Sequence, residues 1–263
     1  MRIAFNNCSI TPRFCARNEE IRKADNIQRK ANNSFNFVSS SRIDDYCDAS
    51  NNYEYKIKAR KVADKLKHVI LATRYAADVL NKTGNGIGIL YADDLDLSEH
   101  TRLGNCMEYA KAAVAALCAN GYYNSERVNL RYEIKFINKE TGKVEYESED
   151  PLDHSFAVTD LNCRDEKDIV IDPWIGFADY KQEAVIRFRN IYADDAEKFE
   201  KFHKKLFMLE KLEKGEKYNP ENYIMETGFV FAPREIYSTE YQKQRLGEYA
   251  RMVYPGLLLN KKS

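Results

Sequence analysis

Cys106, His154 and Asp172 follow one another along the chain in the order of a nucleophile, a base and an orienting carboxylate. Cys106 opens the alanine-rich run 103–120, which Gly121 closes, a helix by propensity with a good C-terminal stop. A thiol in the first turn of a helix faces unpaired backbone N–H groups and the positive end of the dipole, and both favour thiolate. The same N–H groups can hold a developing oxyanion, and Gly104 permits a tight turn and close substrate approach. His154 and Asp172 lie equally far from residue 163, since 163 − 154 and 172 − 163 are both nine. With 162–167 as the turn of an antiparallel pair, they fall opposite each other on one sheet face, with Cβ atoms ~4.5–5.5 Å apart. A carboxylate so placed accepts the Nδ1 proton of the imidazole and leaves Nε2 to face the thiol.

Each of these residues has a plainer reading. A cysteine in an alanine-rich helix is more often a small buried hydrophobe, and Asp172-Pro173 alone could be a strand terminator. The partnered histidine and aspartate shift the balance toward a nucleophile. Cys118, about 120° round the same helix, reads as core, and Cys163 as an exposed bystander in a polar turn. His68 and His203 sit in amphipathic helices and read as structural or surface residues, and Glu108 as a stabiliser of the first helical turn. Cys106, His154, Cys163 and Asp172 would make an unusual zinc set with no short-spaced pair, so neither metal nor cofactor is expected.

Three segments, Gly104-Asn105-Cys106-Met107-Glu108-Tyr109-Ala110, Asp153-His154-Ser155-Phe156-Ala157-Val158 and Ile169-Val170-Ile171-Asp172-Pro173-Trp174, resemble the core motifs of the transglutaminase-like superfamily. That group belongs to the wider papain-like class of Cys-His-Asp enzymes. The resemblance covers about residues 104–174. It implies a cysteine-bearing helix packed on an antiparallel sheet that bears the histidine and aspartate. It also implies acyl transfer through a thioester: peptide hydrolysis, glutamine deamidation or amide crosslinking. By the same resemblance Trp174 shields the His–Asp hydrogen bond from water. His100 stands where papain-like proteases commonly have a glutamine oxyanion donor, and it reads here as a loop residue. Asn105, beside the thiol, is the other residue expected near substrate.

The elements that must position these groups are legible in part. Ile57, Val62, Leu66, Val69 and Ile70, continued by Val79 and Leu80, mark a long amphipathic helix before Gly84, Gly86 and Gly88. Val128 to Ile137 alternates as a strand, turned at Lys139-Glu140-Thr141-Gly142 into a second at Val144–Tyr146. Further strands are expected at His154–Leu161 and Asp168–Ile171. Phe199, Phe202, His203, Leu206 and Phe207 mark another helix, and Ile236–Val253 a last one. The region 1–52, basic, serine-containing and poor in acidic residues, reads as a flexible polar leader: a frayed terminus or a targeting or secretion segment.

The 263 residues balance 41 basic against 41 acidic side chains, which speaks against nucleic acid as the partner. The longest apolar run is eight residues, too short for a membrane span, and no Sec-type signal stands behind Met1. Six cysteines without a CxxC pair fit reduced thiols in a soluble protein. The sequence thus predicts one α+β domain over 53–263, with a papain-like core and a C-terminal helical extension. It is expected to act as a cysteine protease, deamidase or transglutaminase on a protein substrate, as a bacterial effector in a host cell. Two rival readings stand beside it: an inactive fold of this type serving as a protein-binding module, and acyl transfer to a small amine, as in arylamine N-acetyltransferases.

Overall fold

The computed structural model describes residues 11–35, 37, 39, 52–82, 104–159, 169–233 and 240–259. In chain order come α1 (Thr11–Phe35), α2 (Tyr53–Lys82), α3 (Cys106–Ala119), β1 (Glu126–Asn138), β2 (Val144–Thr159), β3 (Ile169–Asp172) and β4 (Phe177–Tyr180). Then follow α4 (Lys181–Ile191), α5 (Ala193–Glu213), β5 (Tyr223–Pro233) and α6 (Glu240–Val253). The strands form a sheet of order β4-β3-β2-β1-β5, so the class is α+β. The chain divides into two compact units. The first comprises Met1–Arg127, Phe156–Tyr180 and Glu235–Ser263; the second comprises Val128–Ser155 and Lys181–Arg234.

At the centre of the first unit lies α3. Of its fourteen residues only Met107 is not buried, which makes it the helix around which the others assemble. Alanine at six of those positions lets neighbours approach to backbone distance. One close approach is by α6, where a Cβ built on Gly247 would stand 2.3 Å from the Cys118 carbonyl oxygen. Backbone cannot swing aside as a flexible side chain can. Gly247→Ala is therefore expected to force the two helices apart at a cost of about 1–3 kcal/mol, read as a lower urea midpoint.

Within the flexible leader expected over 1–52, the structure places a helix, α1, at Thr11–Phe35. α1 buries Ala24, Ile27, Ala31 and Phe35, spaced three, four and four, in the same core as α3. The period escapes notice because two of its four members are alanines, set among Asn, Gln, Lys and Arg. Beyond the helix, Phe37 and Ser39 are also buried. Residues 1–10 and 40–51 lie outside the described residues.

The second unit is built on the long pairing of β1 with β5, in register from Val128 opposite Pro233 to Asn138 opposite Tyr223. The predicted turn after β1 forms, with Gly142 at φ +67° and its N–H donating to the Asn138 carbonyl at 2.8 Å. Phe136 stacks on Phe207 of α5 at 4.6 Å between ring centroids. His203, expected to be structural or exposed, is buried between the Tyr146 hydroxyl and the Asp150 carboxylate. Lys211 lies over the Phe207 and Tyr223 rings and bonds Glu145 and Glu216, which raise its ammonium above the ordinary lysine range.

Two expected strands, Val144–Tyr146 and His154–Leu161, prove to be one. β2 runs unbroken from Val144 to Thr159, through Pro151. Proline lacks the N–H a ladder needs, and normally argues against a central strand. Here β3 is only four residues long and pairs with Ala157–Thr159, so that side of β2 makes no demand on Pro151.

Candidate functional site

Cys106 is the first residue of α3 and is 9% exposed. Its position is set by the residues just before it. The Asn105 N–H donates to the Glu108 carboxylate at 2.9 Å, the reciprocal arm of a capping box. The same carboxylate, 2% exposed, takes two hydrogen bonds from the Arg74 guanidinium, at 2.7 and 2.8 Å. Glu108 thus holds the first turn, as expected, and α2 is tied to α3 through it. Gly104 serves the protein interior rather than substrate approach. A Cβ there would meet Glu108 Cβ at 2.8 Å and the Phe37 ring at 3.0 Å. Phe37 in turn accepts the Tyr109 hydroxyl on its carbonyl at 2.7 Å and meets that ring edge-on.

Asp172 ends β3 and is fully buried. Its Oδ1 accepts the main-chain N–H groups of Trp174 and Ile175, each at 3.1 Å, an Asx turn that fixes the carboxylate. The Asn32 side chain of α1 donates to the Pro173 carbonyl at 3.0 Å, pinning the same turn from behind.

One residue joins the two halves of this arrangement. The Ser39 hydroxyl donates to Asn105 Oδ1 at 2.9 Å and accepts the Trp174 indole N–H at 3.3 Å. It is buried, and it links the residue before the thiol to the turn that holds Asp172. Nothing in the sequence points to Ser39, which lies 66 positions from Asn105 in a serine run that reads as leader. Arg74 and Phe37 are likewise visible only in three dimensions. Ser39→Ala removes both bonds from half-buried groups, so a loss of about 1 kcal/mol is expected in urea denaturation.

His154 belongs to the second unit, two residues before β2 passes into the first. It is 2% exposed and packs edge-on against Phe188 and at a tilt against Tyr192, at 5.6 and 5.9 Å between centroids. The expected face-to-face register of His154 with Asp172 is corrected. β2 pairs β3 with Ala157 opposite Ile171, and one further step sets Asp172 level with Phe156. The shift is two residues, 156 against 154. A slip of two keeps every side chain on its face, so alternation cannot distinguish the two registers, and His154 still shares a face with Phe156.

The remaining sequence candidates fall into place or out of view. Trp174 is half-buried against the core, bound through its indole to Ser39. Cys118 is fully buried as expected; burial pushes its thiol up to about 11, and Ser125 Oγ lies 3.7 Å from its sulfur. His100 and Cys163 lie outside the described residues, as does the turn 162–167. Among the described residues no group of three or more His, Cys, Asp or Glu side chains could hold a metal ion, and no helix is long and apolar enough to cross a membrane. No family model, curated protein or solved structure matches this chain.

Proposed function

We propose that the chain carries out thiol-dependent acyl transfer on a protein substrate, with Cys106 as nucleophile, His154 as base and Asp172 as orienting carboxylate. One observation carries this reading. A buried thiol on the first residue of a buried helix stands in the same unit as a fully buried carboxylate fixed by two backbone N–H groups. Core packing alone would account for the cysteine but not for an aspartate at zero exposure.

His154 takes the Cys106 proton, and the sulfur attacks the substrate carbonyl carbon. The Cys106 N–H, at the positive end of the helix dipole, is the donor to the oxyanion. Collapse of the tetrahedral adduct expels ammonia or an amine, which leaves with the imidazolium proton. Water, activated by the same imidazole, then cleaves the thioester and restores the thiol. Asp172, whose Oδ1 holds the turn, is the orienting carboxylate in this reading. Asn105, whose Oδ1 accepts from Ser39, has its Nδ2 amide as the group able to serve as a second donor.

The test is alkylation of the native chain by iodoacetamide between pH 5 and 9, each cysteine followed by mass spectrometry. Selective modification of Cys106 that depends on His154 supports the assignment; a Cys106 as inert as Cys118 removes it. Incubation with a glutamine-bearing peptide then separates the reaction types, since deamidation releases ammonia, hydrolysis gives a new amino terminus and crosslinking consumes an amine. Action on a host protein after export belongs to the same proposal. An export assay on the chain lacking residues 1–10 tests it, and unchanged export would count against it.

The binding-module reading has its own support in the apolar residues exposed on α5, Phe202 at 56% and Leu209 at 41%. In that case Cys106→Ala leaves partner binding and every cellular effect intact.

A further inference from the structure

A surface on α2 is unused by the chemistry above. Tyr55, Ala59, Val62, Leu66, Val69 and Thr73 recur at alternating intervals of four and three, the spacing of a coiled-coil seam. Tyr55, Val62 and Val69 are 54%, 50% and 43% exposed, and Ala59, Leu66 and Thr73 are half-buried. One border of this seam, Ala63 and Ile70, is buried. The other is a ridge of Lys58, Lys61, Lys65 and His68, spaced three, four and three, all exposed. None of the three lysines has an ion-pair partner among the described residues. From Tyr53 to Ala76 the helix holds seven basic residues and two acidic ones, in a chain that is neutral as a whole.

An apolar stripe edged by lysines calls for an apolar stripe edged by carboxylates. We infer that this face of α2 docks an amphipathic helix of a protein partner whose apolar seam is bordered by Glu or Asp. A second copy of the chain is a poor occupant. Antiparallel pairing sets the lysine ridge against itself, and parallel pairing sets Lys58 and Lys65 against Ala63 and Ile70, with no ion pair either way. A bilayer surface fits no better. It takes a broad apolar face, whereas this seam is two residues per heptad wide, with one border committed to the interior. Tyr53, Ile57, Leu71 and Tyr75 are exposed too, but they lie beyond the lysine ridge and do not widen the seam.

The test uses the full chain and two synthetic peptides of about 28 residues, four heptads with Leu at a and d. One carries Glu at e and g, the other Lys. Fluorescence anisotropy at about 50 mM NaCl is expected to show the Glu peptide binding at least ~10-fold tighter than the Lys peptide, with the gap narrowing as salt rises. Val62→Asp with Val69→Asp should cost at least ~10-fold, and Lys58→Glu, Lys61→Glu and Lys65→Glu together should reverse the preference. All five positions are exposed, and circular dichroism of each variant checks that the helix is retained. Failure of the Glu peptide to bind, or binding indifferent to the valine substitutions, overturns the inference. So does a dimer by light scattering that those substitutions dissolve, which would make the occupant a second copy. Binding of phosphatidylserine vesicles without peptide binding would assign the face to a membrane instead.

Discussion

His154→Ala is expected to slow alkylation of Cys106 at pH 7 by about 100-fold, the low end of what a positioned base contributes. The chain supplies its own reference. Cys118 lies on the same helix, fully buried, with its thiol pushed up to about 11, so it should stay unmodified up to pH 9 in either form. Cys106 differs in standing on the first helical residue, at the positive end of the helix dipole. Asp172→Asn keeps the turn, because its carbonyl oxygen can still accept the Trp174 and Ile175 N–H groups. It should nonetheless slow the reaction, since the orienting charge is gone. A Cys106 rate unaffected by either substitution would leave no role for the constellation and favour the binding-module reading.

Arg74→Met should lower stability by about 3 kcal/mol and loosen the turn that bears Cys106. Removing one member of a buried ion pair strands the other, a cost of about 3–5 kcal/mol. Glu108 is 2% exposed and would keep the Asn105 N–H but lose both guanidinium bonds. The lower end applies because Arg74 is itself 26% exposed, so water already screens part of the pair. Urea denaturation of wild type, Arg74→Met, Glu108→Gln and the double variant gives a cycle that isolates the pair. The double variant should be less destabilised than Arg74→Met alone, because no charge then remains buried. If Arg74→Met proves neutral, the link between α2 and α3 does not bear on the site.

Much of this protein is written in local pattern. Val128 to Ile137 alternates and forms β1; Lys139 to Gly142 turns; the alanine run from Cys106 is a buried helix; Phe199 to Phe207 lie on α5. The candidate residues were legible as well: Cys106 at a helix start, and Asp172 at a strand end. Periodicity and propensity act within a few residues, so one sequence suffices to read them.

What escaped depends on contacts between distant segments. α1 looks like a polar leader because alanine is a weak apolar signal, and it becomes core only where α3 is narrow enough to receive it. β5 had no announcing pattern, yet it pairs along nearly the whole of β1. Pro151 reads as a break until the shortness of β3 is known. Residue types and order along the chain therefore determined which groups could do chemistry. Tertiary structure alone decided that Asp172 pairs level with Phe156, that Ser39 ties Asn105 to Trp174, and that Arg74 holds Glu108. The physical reason is that a register slip of two leaves every side chain on its own face, and a hydrogen bond across 66 residues leaves no local trace.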